Sequence, residues 1–530
     1  MKLPLTPIRC LYRAVDLYAN KIGVVSGADR YTYAQFGERC ERLAGGLHAE
    51  GVQRGDRVAF LSFNNNQLLE GYYGPPLIRA IAMPLNVRLQ PPELTAILNH
   101  ADARALAFEN DFAAQVEQLR ATCPSVQRWI SIDGPSPLAD LTFDELLSRR
   151  RIDRPEIRSF DEEEIAELFY TSGSTGTPKG VMLSHRTLYL HALAVGGTFN
   201  HDDAAVELHT IPLFHANGWG RPQTAVMGGI KQVMVRRFDP AHVLRLIQDE
   251  GATAMSLVPT MANALLNSPA LGTFDTSTMQ EIHIGGAAAA PELIAQMEAA
   301  FRCRVMAGYG LTETCPVATS ARNKCTVQYA DEHDRIRHLA MAGWTLPGCE
   351  IRVVDLHMQD VPRDMETVGE VVIRGDNVMD GYFKEMEATA AVMSGDWFHT
   401  GDMAVWDREN YIHIVDRKKD IIVSGGENIS SIEVEKAICA HPAVLECAVV
   451  AAPDPKWGEV PVAVVVLKSC QQLDAETLCA FLQGRLAGFK MPRLVEFTAQ
   501  PLPKTGTGKI LKRQLRENYW QGKTVRVGQA

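Results

Sequence analysis

Short apolar runs alternate with amphipathic stretches through the first three-quarters of the chain. Arg57-Val58-Ala59-Phe60-Leu61-Ser62 is rich in strand-forming residues and predicts a β-strand. Between Ala241 and Asp249 the apolar positions recur at helical spacing and predict an amphipathic helix. Strands alternating with helices in this way predict parallel sheets layered with helices. From about Gly369 the pattern changes to hairpins. Glu370-Val371-Val372-Ile373-Arg374 predicts one strand, and the polar turn Asp407-Arg408-Glu409-Asn410 leads into a second, Tyr411-Ile412-His413-Ile414-Val415. The charged run Asp416-Arg417-Lys418-Lys419-Asp420 separates two apolar strands and predicts a domain boundary, with a smaller α+β domain continuing to the C-terminus. The chain has no internal repeat and no low-complexity segment, and residues 522–530 are expected to fray.

Composition narrows the picture in a few places. At 530 residues the chain is too long for one core, so more than one domain is expected. The formal net charge of −10, with the densest basic cluster flanked by Asp416 and Asp420, argues against a nucleic-acid-binding face. Eleven scattered cysteines form no zinc-spaced cluster and read as reduced thiols of a cytoplasmic protein. The N-terminal prolines Pro4 and Pro7 do not suit a signal peptide. Apolar runs such as Val462 to Leu467 are too short to span a bilayer, so no integral membrane segment is expected. Oligomeric state stays open, a homodimer included.

The strongest local signal is Tyr170-Thr171-Ser172-Gly173-Ser174-Thr175-Gly176-Thr177-Pro178-Lys179-Gly180. Glycines allow close backbone approach, so successive N–H groups can converge on phosphate oxygens; the hydroxyls add donors and Lys179 adds a positive charge. The run is not a Walker A loop, because Pro178 and Gly180 stand where that motif needs glycine and Ser/Thr. A flexible surface loop has similar composition, but the apolar runs Ile165 to Phe169 and Val181 to Leu183 bracket this one.

The loop resembles the phosphate-binding signature of the adenylate-forming superfamily: acyl-CoA synthetases, firefly-type luciferases and amino-acid adenylation domains. Further segments follow in the order that family has. Gly308-Tyr309-Gly310-Leu311-Thr312-Glu313 is similar to its second nucleotide segment, which implies that Tyr309 stacks on adenine, Gly310 belongs to the nucleotide site, Thr312 contacts the α-phosphate, and Glu313 holds Mg²⁺. By itself the hexapeptide reads as a glycine turn before a helix capped at Thr312. Thr400-Gly401-Asp402 resembles the ribose-binding segment, and Arg417 matches an arginine that reaches the nucleotide. Pro503 to Ile510 resembles the segment whose lysine, here Lys509, bridges the acid and the α-phosphate during adenylation. Alone, Asp402 reads as a turn residue and Lys509 as a solvated one.

The resemblance covers nearly the whole chain and implies the architecture as well. A large N-terminal domain, 1–416, of layered parallel-type sheets and helices with a β-rich subdomain binds ATP and the acid. A hinge at 417–420, centred on Lys419, leads to a small mobile α+β domain, 421–530, carrying Lys509. Ser424-Gly425-Gly426 resembles the coenzyme A-facing segment of CoA ligases, although a plain glycine hairpin fits the same residues. No carrier domain is seen after Lys509. Pro212 to Trp219 resembles the segment of medium- to long-chain fatty acyl-CoA synthetases in which a tryptophan gates the acyl tunnel; Trp219 is the implied gate and His215 a wall beside the carboxylate. A packed core His/Trp pair reads equally well. Gly285, Gly286, Ala287 and Gly308 match small-residue positions along the acid pocket, and the run Ala287-Ala288-Ala289-Ala290 leaves an aryl or branched acid open.

The implied reaction uses ATP, Mg²⁺ and coenzyme A. The acid is adenylated with release of pyrophosphate, then passed to the thiol with release of AMP. Lys179, Glu313 and Lys509 are the implied catalytic residues, with Thr171, Ser172, Gly173, Ser174, Thr175 and Gly176 around the phosphates. A catalytically silent acid-binding relative, a luciferase-like oxygenase and an amino-acid-activating enzyme are the competing readings.

Overall fold

Helix starts follow local chemistry. Tyr33–Ala49 begins with a capping box in which the Thr32 hydroxyl accepts from Gln35 N at 3.2 Å and the Gln35 side chain accepts from Thr32 N at 2.8 Å. Its Phe36, Cys40, Leu43 and Leu47 form one buried stripe. Pro240–Glu250, the helix expected over 241–249, is capped by Asp239, buries Val243, Leu244 and Ile247, and ends at Gly251 with φ +65°. The computed structural model describes residues 2–171, 178–425, 427–504 and 510–520.

The chain groups into two compact units: residues 1–351, 373–398 and 409–411, and residues 352–372, 399–408 and 412–530. The first unit holds a nine-stranded and an eight-stranded sheet. In the nine-stranded sheet, Arg304–Gly310, Glu281–Ile284, Ala254–Leu257, Val206–His209, Lys231–Met234 and Ile22–Ser26 run parallel in that order. Val317–Ser320 and Trp344–Thr345 extend one edge antiparallel. The eight-stranded sheet is parallel from Ile165–Thr171 through Ile81–Pro84, Arg57–Leu61, Ala103–Phe108, Arg128–Ser131 and Leu141–Thr142. Lys179–Ser184 and Gly381–Tyr382 add to it antiparallel. These are the layered parallel sheets expected from the pattern. Val206, Leu208, Val233, Met255, Leu257, Ile282, Ile284 and Val305 pack with the Pro240–Glu250 helix in one core of this unit.

In the second unit Val444–Asp454 and Gly458–Leu467 form an antiparallel ladder. Its alternate residues enter two cores. Cys447, Val449, Ala451, Ala463 and Val465 face one side; Ala448, Val450, Ala452, Val462, Val464 and Val466 face the other. Burial on both faces explains why Val462 to Leu467 is apolar without alternation. The strand expected to stop at Val415 continues as Ile412–Arg417, paired with Trp397–Trp406 so that Asp416 and Arg417 lie in the ladder. The charged break is therefore confined to the turn after Arg417, where Asp420 N and Ile421 N donate to Arg417 O at 2.9 and 3.0 Å. The expected boundary at 416/417 lies within this unit, which also takes in residues 352–372 and 399–408. Among the described residues no helix is long and apolar enough to cross a membrane, and all eleven cysteines are unbridged.

Candidate functional site

The glycine-rich loop joins a strand pair whose register puts Thr171 opposite Lys179. The candidates Ser172, Gly173, Ser174, Thr175, Gly176, Gly426 and Lys509 lie outside the described residues. At the rim, Lys179 Nζ sits 4.8 Å from the centre of the Tyr382 ring, a cation–π distance. The Tyr382 hydroxyl donates to Glu313 Oε1 at 2.9 Å. Tyr382 thus brings together two candidates far apart in sequence. It is held there by pairing of Gly381–Tyr382 with Lys179–Ser184, Tyr382 opposite Val181. Sequence reasoning did not single it out, since an isolated Gly-Tyr pair carries no periodic signal.

Glu313 lies in a single 3₁₀ turn, Thr312–Thr314. The helix capped at Thr312, the plain alternative for this segment, does not form: Thr312 is the first residue of the turn and Leu311 precedes it as the cap position. Met379 N donates to Glu313 O at 2.8 Å and Asn377 Nδ2 to Thr314 O at 3.1 Å, pinning the turn from both sides. Before it, Arg304–Gly310 pairs antiparallel with Val317–Ser320, setting Tyr309 opposite Thr319. A Cβ on Gly310 would fall 1.7 Å from Pro316 O, so only glycine allows this chain reversal.

The acid-pocket candidates also converge. Trp219 has φ +62° and lies in a run of positive-φ residues from Ala216 to Gly220, an arrangement L-residues adopt only under constraint. Its ring lies where a Cβ on Gly285 would meet Trp219 Cη2 at 3.0 Å and Gly308 O at 3.3 Å. A Cβ on Gly286, whose φ is +74°, would meet the same ring at 3.5 Å. Trp219, Gly285, Gly286 and Gly308 therefore share one surface. Ala287 is exposed, and His215 is half-buried four residues before Trp219.

The segment before Trp219 is anchored by a residue that sequence reasoning missed. Glu167, buried in the strand leading to the glycine loop, accepts from Asn217 Nδ2 at 3.3 Å and Gln223 Nε2 at 2.6 Å. Burial pushes its carboxyl up from 4.5 to about 8, against the opposing pull of those two amides. A lone glutamate in an apolar strand is its only trace in the sequence.

In the second unit Asp402, buried, pairs with half-exposed Arg417 across the strand register, Arg417 Nε to Asp402 Oδ1 2.6 Å. Thr400 Oγ1 donates to Val371 O at 2.7 Å and accepts from Asp402 N at 3.1 Å, fixing the Thr400-Gly401-Asp402 turn. Ser424 faces Glu427 across a tight hairpin, so the glycine-hairpin reading of that segment holds. Gly425, at φ +59°, donates from N to Trp457 O at 2.7 Å, and a Cβ there would strike the Trp457 ring at 2.7 Å. Lys419 sits in the turn after Arg417, where Arg516 donates to its carbonyl at 2.6 Å. Just before the turn, Asp416 accepts from Arg417 N at 2.7 Å and from Ser431 N and Oγ at 2.5 and 2.6 Å.

Comparison with known proteins bears on these residues together. The AMP-binding enzyme family model matches residues 11–383, and the model for the AMP-binding enzyme C-terminal domain matches 433–509. A long-chain-fatty-acid–CoA ligase of Thermus thermophilus is 39% identical over 518 residues, covering 96% of this chain and 94% of that protein. A feruloyl-CoA synthase of Amycolatopsis is 37% identical, covering 96% of this chain and 98% of that one. Among solved structures, an anthranilate CoA ligase, AuaEII, in complex with anthranoyl-AMP superposes with a TM-score of 0.86 at 25% identity, covering 98% of both chains.

Two outcomes are expected. Tyr382→Phe keeps the ring over Lys179 but removes a hydrogen bond to a charged group, which contributes about 1.5–3 kcal/mol. Acid-dependent exchange of pyrophosphate into ATP should slow by about 10- to 100-fold, while thiolysis of a pre-made acyl-adenylate stays within about twofold. The second outcome concerns pH. Folded Glu167 keeps a proton that the unfolded chain releases above about pH 4.5, so its stabilising contribution is complete below that pH and is lost as pH rises through about 8. Across that window the thermal midpoint of the wild type should fall relative to Glu167→Gln, which does not titrate; parallel midpoints would refute the assignment.

Proposed function

The chain belongs to the AMP-binding enzyme family, and from that premise we propose that it activates an apolar monocarboxylic acid, a medium- to long-chain fatty acid, for transfer to coenzyme A. It is an ATP-dependent, AMP-forming acid–thiol ligase that works through an acyl-adenylate. The observation that carries the choice of acid is the Trp219 ring laid against Gly285 and Gly286, with Val258 Cγ1 beside it as a further apolar surface. The fatty-acid ligase of Thermus thermophilus supports the same reading. A second reading, an aryl acid, has its own support in the small, largely exposed run Ala287 to Ala290 and in the feruloyl-CoA synthase relative.

A carboxylate is a poor acyl donor because its oxygen leaves badly. Attack of that oxygen on the α-phosphorus of ATP expels pyrophosphate and installs AMP as the leaving group. In this reading Thr171, Lys179 and the intervening loop hold the phosphates, and Lys179 offsets their charge. Glu313, oriented by Tyr382 and offering a hard carboxylate oxygen, would hold Mg²⁺, which supplies further charge compensation. Tyr309 packs on adenine, Thr312 contacts the α-phosphate, and Asp402 and Arg417 bind the nucleotide's ribose side. Lys509 orients the acid. His215 lies beside the carboxylate and Trp219 gates the acyl chain. Thiol attack on the acyl carbon then releases AMP, with Ser424, Gly425 and Gly426 lining the pantetheine passage.

The domain plan belongs to the proposal as well: 1–416, a hinge at 417–420, and 421–530 as the part that exchanges Lys509 for the Ser424-Gly425-Gly426 face between half-reactions. The eleven unbridged cysteines support a cytoplasmic location.

Measurement of CoA-dependent AMP release across short, medium, long and aryl acids tests the substrate. The highest kcat/KM is expected for acids of medium to long chain, and a cinnamate-type acid at the top would establish the second reading instead. Lys419→Pro should abolish thioester formation while adenylate formation remains measurable. Lys509→Ala should do the reverse, slowing adenylation but sparing thiolysis of a pre-made acyl-adenylate. Equal effects of Lys419→Pro on both half-reactions would discard the hinge.

A further inference from the structure

At the end of Glu281–Ile284 remote from the Gly285 turn, three side chains meet that the ligase chemistry does not use. Glu281 and His283 are two residues apart on one strand, so they project to the same face. His201 arrives from the segment after the helix His185–Phe199, where Asn200 at φ +51° turns the chain. His283 Nε2 lies 2.8 Å from Glu281 Oε1, and His201 Nε2 contacts the same oxygen. The ligand-capable atoms of the three all lie within 4.8 Å of one another.

We propose that His201, Glu281 and His283 form a zinc site. Two imidazoles and one carboxylate converging on a point are a donor set that tetrahedral Zn²⁺ takes, with water as fourth ligand. Ligands about 2.1 Å from zinc stand about 3.4 Å apart, so the 2.8 Å between His283 Nε2 and Glu281 Oε1 has to open by about half an ångström and the shorter His201 contact by about one.

The surroundings suit that role. The second carboxylate oxygen, Oε2, accepts from Arg304 Nη2 at 3.0 Å, which orients Glu281 and leaves Oε1 toward the imidazoles. The Arg304 side chain is 68% exposed whereas that of Glu281 is 3% exposed, so the arginine is a solvent-screened partner for a deeply buried charge. Phe199 fixes the His283 ring edge-to-face at 4.2 Å. A cavity of about 320 Å³, lined in part by Phe199, Asn200, Glu281 and Arg304, adjoins the cluster and offers an access route and room for the water ligand. At about 3.3 Å per residue Glu281 is roughly 13 Å and His283 roughly 7 Å along the strand from Gly285, and the ion would tie the segment after His185–Phe199 to the sheet.

The cluster also satisfies itself as a hydrogen-bonded His–Glu–His set if each imidazole carries its proton on Nε2, and the experiment separates the two. The full-length protein, stripped with a chelator and dialysed, is titrated with Zn²⁺ by calorimetry and with Co²⁺ by visible absorption. The expected result is one ion per chain, a four-coordinate Co²⁺ spectrum, and a higher thermal midpoint in Zn²⁺. His201→Gln, on a segment outside helix and strand, should weaken that binding by about tenfold or more, and His201→Gln with His283→Gln should abolish it. Retained adenylate formation and circular dichroism establish that His201→Gln is folded even if the double variant is not. Absence of saturable binding in the wild type overturns the proposal, as does unchanged stoichiometry and affinity in His201→Gln, which would assign the metal to the cysteines.

Discussion

Burial of the parallel strands is the constraint from which the rest of the first unit follows. Val206–His209, Ala254–Leu257 and Glu281–Ile284 are buried at every position. Apolar residues meet that demand without cost, but each charge admitted to the layer needs its own compensation. Glu207 accepts from Nε and Nη2 of Arg221 at 3.0 and 2.8 Å. Glu167 takes two amides, and its carboxyl shifts toward the protonated form. Glu281 takes two histidines and an arginine. These three buried carboxylates are each compensated by their own set of polar partners.

The same constraint leaves the candidate site residues at the strand ends. Thr171 ends its strand, Gly285 and Gly286 directly follow Ile284, and Gly308 to Gly310 close the strand Arg304–Gly310. Ligands of open α/β sheets bind outside the carboxyl ends of the strands, where backbone groups are no longer consumed by the ladder. Close approach then becomes the limiting factor. Gly310 permits the return of the chain past Pro316, Gly285 admits the Trp219 ring, and in the second unit Gly425 lies under Trp457. A methyl group would collide with backbone at Gly310 and with the ring at Gly425, and at Gly285 it would press on the Trp219 ring.

Much of this was legible in the chain. The strand at Arg57–Leu61 and the helix at Pro240–Glu250 appear where hydrophobic periodicity places them, because burial of one face or one layer is written directly into residue order. The hairpins after Gly369 were equally readable. The end of the strand after Tyr411 was not: Asp416 and Arg417 look like loop residues, yet both lie in the ladder, because Arg417 finds Asp402 across the register and Asp416 caps Ser431. The helix capped at Thr312 fails for a similar reason. Hydrogen bonds from Met379 and Asn377, distant in sequence, take the carbonyls of Glu313 and Thr314 and hold a single turn.

The order of motifs, from the glycine loop through Glu313 and Asp402 to Lys509, carries the family resemblance that indicates the type of reaction, and the match to the AMP-binding enzyme family bears that type out. Which groups support them was decided only in three dimensions. Tyr382 reaches Glu313 through a two-residue strand pairing, Glu167 steadies the turn before Trp219 through two amides, and His201 meets Glu281 and His283 from another segment. None of these contacts has a fixed sequence spacing. They are set by sheet register and by the cost of leaving buried charges without partners, and both depend on segments that meet only after the chain has folded.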